Sequence, residues 1–259
     1  MSEHEERDPW YASWFGEEYL ALYPDRDDRE AEHQAAFVSG ILAPYATRGP
    51  SGILDLACGT GRHAVVLAGR SPVVGLDLSY RLLVEALRRE EAPPPYVRGD
   101  MRSLPLRGGV FGAVVNFFTS FGYFESGDDD LRVLREVSRV LAPGGAFLSD
   151  VFNAERVIAT LASREEKYIL GQKIVIQRRY DKSTRLVEKE IEMGMGGDRR
   201  TFRERVRAYS EEELRRLHGS VGLRVPAVFG DFDGSPFDPK RSPRLILLAV
   251  KPLDGGPAR

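Results

Sequence analysis

Apolar positions in the middle of the chain gather into short runs, and stretches of helical spacing separate them. Ile53 to Leu56, Pro72 to Asp77, Tyr96 to Met101, Phe111 to Phe118 and Ala146 to Val151 have strand length and little alternation, as expected of strands buried on both faces. Helical runs follow from His63 to Ala68, from Ser79 to about Arg89, and from Ser126 with Leu134, Val137 and Leu141 on one face, closed by Pro143-Gly144-Gly145. Strand and helix in alternation predict an α/β fold built on a parallel sheet.

The flanking patterns differ. In residues 9–23 the pairs Trp10/Trp14, Tyr11/Phe15, Phe15/Tyr19 and Tyr19/Tyr23 are four apart, predicting one aromatic-faced helix opened by Asp8 and Pro9. A second helix runs from about Asp28 to Ala43 and stops at Pro44; Gly49 to Gly52 links it onward. From Tyr168 to Ala208 three alternating segments, 168–178, 186–193 and 201–208, predict an antiparallel meander. Ser210 and Glu213 form a capping box. Val225 to Phe229 and Leu245 to Val250 can close the sheet as a hairpin, and the loop between them reads as a surface loop ahead of a pocket rim. The expected divisions are 1–48 (helical cap), 49–164 (core), 165–208 (insertion) and 209–259 (remainder of the core).

Composition narrows the function. The 259 residues carry a net charge of −2, without the basic footprint of a nucleic-acid binder. No apolar run reaches membrane-spanning length, the first residues are acidic, and the one cysteine excludes an internal disulfide. A cytoplasmic protein, monomer or homodimer, is expected. The four histidines lack ligand spacing, so no metal site is expected. Cys58 and Ser120 have no visible histidine–acid partners for a hydrolase triad.

The candidate chemistry centres on 52–64. A strand with Asp55 near its end is followed by Gly59-Thr60-Gly61 and a helix, a turn where backbone approaches a ligand and the helix presents unpaired amides. A carboxylate at Asp55 repels a pyrophosphate and suits an ammonium group. Asp77 and Asp100 close the next two strands, and Asp77 stands where a carboxylate takes both hydroxyls of a ribose.

Asp55-Leu56-Ala57-Cys58-Gly59-Thr60-Gly61, with Asp77, Asp100-Met101 and the helix–Pro-Gly-Gly–strand unit, resembles class I S-adenosylmethionine-dependent methyltransferases, in flavour the small-molecule N-methyltransferases of glycine and amino-sugar type. The resemblance implies a Rossmann-like, mostly parallel seven-stranded sheet with helices on both faces, an N-terminal helical cap and an inserted antiparallel meander over the substrate. It implies S-adenosylmethionine as cofactor and S-adenosylhomocysteine as product. Asp55, Ala57, Cys58, Gly59 and Gly61 would border the amino-acid part, Asp77 and Leu78 the ribose, and Asp100 and Met101 the adenine. Asn116, Tyr11 and Tyr19 complete the cofactor set, the tyrosines toward its carboxylate. The loop after the fourth strand, Ser120 and Tyr123, would face a small-molecule acceptor, with Arg178 and Arg205 of the insertion as anion-recognising candidates. Related enzymes carry a histidine base where this chain has Tyr123, a phenol and therefore a weak base at neutral pH, so Tyr123 is the one catalytic candidate and chiefly a positioning one. Transfer to N or O remains open. The competing readings are a nicotinamide-dependent oxidoreductase, which shares the ribose acid, and a non-catalytic S-adenosylmethionine binder.

Overall fold

A computed structural model describes residues 9–23, 28–46, 52–169, 171–194 and 200–253. Its centre is a seven-stranded sheet: β1 (Ile53–Leu56), β2 (Val73–Asp77), β3 (Tyr96–Arg98), β4 (Phe111–Asn116), β5 (Leu141–Phe152), β10 (Arg224–Phe229) and β11 (Arg244–Val250). The order is β3-β2-β1-β4-β5-β11-β10, parallel except that β11 runs antiparallel to both β5 and β10. The sequence order reverses between β1 and β4, which opens a crevice at the carboxyl ends of these strands.

Each face is buried by its own helices. On one, Val133, Leu134 and Val137 of α6 (Gly127–Val140) and Leu214 of α8 (Glu211–Ser220) pack with Leu54, Val114 and Phe147. On the other, Ala35, Val38 and Leu42 of α3 (Asp28–Ala46) and Ala64 and Leu67 of α4 (Arg62–Ala68) pack with Ile53, Val73 and Leu148. The caps are those the side chains allow: Ser79 Oγ accepts from Leu82 N–H at the start of α5 (Tyr80–Ala86), and Ser210 and Glu213 form the reciprocal box of α8. No described helix is long and apolar enough to cross a membrane.

Several elements depart from the pattern. The aromatic stretch is two short helices, α1 (Trp10–Trp14) and α2 (Glu17–Leu22), with Pro9 as N-cap and a break at Gly16 (φ −135°, ψ −148°); glycine enters this region freely, and the break lets both helices bend over the crevice. Asp8 and the linker residues 49–51 lie outside the described residues. α3 runs two residues past the expected stop at Pro44 to Ala46, since a proline in the last turn removes one hydrogen bond without a further turn to disrupt. The meander has four strands rather than three: β6 (Arg164–Ile169), β7 (Gln172–Asp181), β8 (Leu186–Met193) and β9 (Arg200–Arg207), in that order and all antiparallel. Gly171, at φ +78°, turns the chain just before β7 and splits what reads as one segment from Tyr168. Trp14 and Leu22 pack on Ile174, Ile176 and Ile191 of this second sheet, with Trp10, Phe15, Tyr19, Tyr23 and Phe202 around them. The 230–237 loop is anchored by buried Phe232, edge-on to Phe37 of α3.

Candidate functional site

A cavity of about 310 Å³ opens at the carboxyl ends of β1, β2 and β4, roofed by α1 and α2. Its floor is the turn after β1. Ala57, Gly59 and Gly61 all have left-handed backbone (φ +59°, +57° and +74°), a conformation that costs a non-glycine residue roughly 1–2 kcal/mol. The turn is held by Cys58 N–H to Leu76 O (3.0 Å) and by Asp77, whose Oδ2 accepts from Gly59 N–H and Oδ1 from Ser79 N–H, each at 2.8 Å. Asp77 thus fastens the glycine turn to the start of α5. Each carboxylate oxygen keeps a second lone pair for a ligand.

The three acids have different surroundings. Asp55 is buried, its Oδ2 has no hydrogen-bond partner among the described residues, and burial together with neighbouring Asp77 pushes it up to about 7. Burial also raises Asp77, against the backbone N–H groups that favour its charge. Asp100 is gripped by Arg102, whose Nη2 lies 2.7 Å and Nε 3.1 Å from Oδ2; this pairing holds its carboxyl below the usual range although burial opposes it. Cys58 Sγ is packed where a Cβ on Gly75 would come within 2.9 Å. Burial raises its thiol well above the ordinary range, so it is no nucleophile.

Roof and far wall are aromatic. Tyr11, Phe15, Tyr19 and Tyr23 descend from the two short helices, and Phe117, Phe118, Ser120, Tyr123 and Phe124 come from the loop after β4. Tyr123 stacks on Phe15 (5.8 Å, 21°) and meets Trp10 edge-on at 5.0 Å. A half-buried polar knot pins the roof to the second sheet: Trp14 Nε1 (2.9 Å) and Tyr23 Oη (3.2 Å) donate to Glu204 Oε1, while Lys189 donates to Glu204 Oε2 at 3.2 Å and to Tyr23 Oη.

Of the residues singled out above, Tyr11, Tyr19, Asp55, Ala57, Cys58, Gly59, Asp77, Leu78, Asp100, Met101, Ser120 and Tyr123 line this one cavity. Four stand elsewhere. Asn116 is buried beneath it and donates to Leu56 O at 2.7 Å, tying β4 to β1. Gly61 faces Tyr96 and Ala86: a Cβ there would lie 2.3 Å from Tyr96 Oη and 3.1 Å from Ala86 Cβ, so this glycine serves the packing of α4 on α5 and β3. Arg178 pairs with Glu165 (2.6 Å), and Arg205 with Glu188 (3.4 Å) and Glu125 (3.5 Å), as rungs of a charged sheet face.

The cavity also contains residues the sequence did not flag. Arg62 and His63, the first two residues of α4, line it. Arg62 is paired with Glu30 at 3.3 Å and lies over the Phe118 ring. His63 stacks on Phe117 at 4.0 Å, with Nε2 2.7 Å from Gln34 Oε1. Gln34 Nε2 in turn donates to Glu30; an amide oxygen only accepts, so the imidazole hydrogen sits on Nε2. The available signal was position alone, the two residues that directly follow the second glycine of the turn. Among the described residues no group of three or more His, Cys, Asp and Glu could hold a metal ion.

Residues 53–145 match a family described as a methyltransferase domain. The chain is 41% identical over 104 residues to a demethylmenaquinone methyltransferase of Thermus thermophilus, covering 38% of this chain and 46% of that protein. It is 31% identical over 137 residues to the dTDP-4-amino-2,3,4,6-tetradeoxy-D-glucose N,N-dimethyltransferase of Saccharopolyspora spinosa, covering 52% and 54%. The chain thus spans about half the length of these curated relatives. Among solved structures it is similar to an S-adenosylmethionine-dependent methyltransferase of Clostridium acetobutylicum, with a TM-score of 0.76 and 20% identity over 90% of this chain and 95% of the other. Residues 53–145 are therefore a methyltransferase domain, set in a chain with the fold of the S-adenosylmethionine-dependent methyltransferases.

Proposed function

We propose that this protein binds S-adenosylmethionine in the cavity above the β1 turn and transfers its methyl group to a nitrogen or oxygen of a small molecule. The observation that carries the reading is the unpartnered Oδ2 of buried Asp55, beside a left-handed turn that leaves the backbone of Gly59 open toward the cavity. A buried carboxylate oxygen without a partner is costly unless a cation completes it, and the cofactor's ammonium group is such a cation. Asp77 keeps the acceptor capacity for two ribose hydroxyls, and Asp100 with Met101 would hold the adenine. When bound, the cofactor supplies a methyl group activated by its sulfonium. The chain's own task is then to align the acceptor and exclude water, and orientation by Phe117, Phe118, Ser120 and Tyr123 provides much of the rate.

Calorimetry tests the reading: S-adenosylmethionine and S-adenosylhomocysteine bind with a stoichiometry near one and NADH does not. Binding of NADH alone would overturn it. Asp55 adds a pH signature. In the ligand-free protein it keeps its proton up to about pH 7; an adjacent cation favours the charged form, so binding releases a proton and affinity rises with pH, by up to about tenfold per unit below that value. Asp55→Asn removes this slope between pH 6 and 8. The same raised value makes the folded ligand-free protein bind more protons than the unfolded chain between about pH 4 and 7, so its stability falls as pH climbs through that window.

For Tyr123 the expected role is orientation. With an acceptor found by screening amines and alcohols, Tyr123→Phe lowers turnover on the order of tenfold, the loss of about one hydrogen bond, and leaves cofactor affinity unchanged. A loss beyond roughly a hundredfold with an altered pH profile would make it a base instead. Unchanged rates across the pH range would remove it from the mechanism.

A further inference from the structure

The aromatic wall of the cavity depends on an uncommon backbone. One residue beyond β4, Phe118 and Thr119 are consecutive non-glycine residues in the left-handed region (φ +58° and +61°). Neither is an asparagine or aspartate, and Thr119 is β-branched, for which this conformation is a clear outlier. Such strain persists only where the surroundings over-determine it. Here they do so through one fully buried acid. Asp150 of β5 accepts from Phe118 N–H through Oδ2 (2.8 Å), and its backbone carbonyl accepts from Thr119 N–H (2.9 Å). Its Oδ1 accepts from Arg244 Nε at 2.6 Å, and Arg244 Nη2 reaches on to Thr119 Oγ1 at 3.0 Å. Both strained residues are therefore tied by backbone and side chain to a single ion pair, and one half of that pair comes from β11, at the far end of the sequence from the glycine turn.

We propose that Asp150 and Arg244 are positioning residues for the acceptor. They hold Phe118 and Thr119 left-handed, and this reverses the chain so that Phe117, Phe118, Ser120 and Tyr123 face the cavity instead of continuing the line of β4. That this wall meets the acceptor rests on the function proposed above; the clamp itself does not. Neither clamp residue lines the cavity, so both act through the loop. The fork of arginine is what the geometry uses, since one planar guanidinium reaches a carboxylate and a hydroxyl together.

Hydrogen exchange of the intact chain, with and without S-adenosylhomocysteine, reads the clamp without any acceptor. Arg244→Gln is expected to raise exchange in residues 117–123 by about tenfold or more, leaving 53–61 and 73–79 at the parent rates. Arg244→Lys keeps Asp150 paired, so it folds even if the glutamine variant does not. A single ammonium cannot reproduce the fork, and exchange in 117–123 rises by about threefold. Thr119→Asn, which adopts the left-handed region more readily, restores protection when added to either variant. An ion pair that merely stabilised the fold would lower the melting temperature without a loop-specific change and without that rescue. Parent-like exchange of 117–123 in both arginine variants, or no recovery with asparagine, overturns the proposal. If the parent protein binds no S-adenosylhomocysteine, the proposed function fails while the ligand-free exchange still decides the clamp. Once an acceptor is known, Arg244→Lys raises its KM with S-adenosylhomocysteine affinity unchanged.

Discussion

Gly61→Val is expected to melt about 10 °C below the parent protein, and the cause is packing rather than contact with a ligand. The residue sits at φ +74°, where a side chain costs roughly 1–2 kcal/mol, and more when β-branched. Its new Cβ would lie 2.3 Å from Tyr96 Oη and 3.0 Å from Cζ, with Ala86 Cβ at 3.1 Å on the other side. Tyr96 cannot swing away cheaply, because its ring also occupies the space above Gly75, where a Cβ would come within 2.5 Å of it. Strain and overpacking together reach about 3 kcal/mol or more, and a chain of this size loses about 2–4 °C per kcal/mol. Gly59→Ala is the contrasting case. Its Cβ would meet only Leu82 Cδ1 at 4.0 Å, and the residue lines the cavity. It should lose a few degrees and a larger share of cofactor affinity. Scanning calorimetry of both variants decides; a Gly61→Val protein melting within about 2 °C of the parent would show that α4 can shift to make room.

Asp77→Ala is expected to weaken S-adenosylmethionine binding by about a hundredfold or more. Two charge-assisted hydrogen bonds to a ribose are worth roughly 1.5–3 kcal/mol each, and the lower bound for the pair already corresponds to that factor. The structure adds a second consequence that the strand-end position alone did not suggest. The same carboxylate accepts from the amides of Gly59 and Ser79, so the alanine protein also loses stability through two orphaned N–H groups. Affinity is therefore measured by calorimetry well below the new melting temperature, with circular dichroism confirming the fold. A folded variant binding within threefold of the parent would sever Asp77 from the ribose.

The parallel core was legible because its signals are local. Buried strands of four to six apolar residues, glycines at a fixed spacing and capping serines act over a few residues, and the connection rules of α/β sheets then carry the carboxyl ends of β1, β2 and β3 to one edge. That is why Asp55, Asp77 and Asp100 group together from the sequence alone. Gly59 and Gly61 show where local reading stops. The same residue type two positions apart serves an open cavity at one and a tyrosine ring at the other, and only the placement of β3 distinguishes them.

The partners of individual side chains lay beyond the sequence for a related reason. The meander's arginines stood as candidates for an anion, yet β6 sets Glu165 diagonally against Arg178 and β8 sets Glu188 opposite Arg205, and register is a long-range property. Nothing local marks Arg62 and His63 as site residues; α3 brings Glu30 and Gln34 against them. The reversal at Phe118 and Thr119 has no local cause at all, since neither residue favours a left-handed backbone. By itself the sequence determined the order of strands and helices and the edge at which the acids gather, because those follow from short-range patterning and general rules of connection. Only the tertiary structure decided how the cavity's side chains are held in place, because that depends on partners such as Asp150 and Arg244, 94 residues apart in the chain and 2.6 Å apart in the fold.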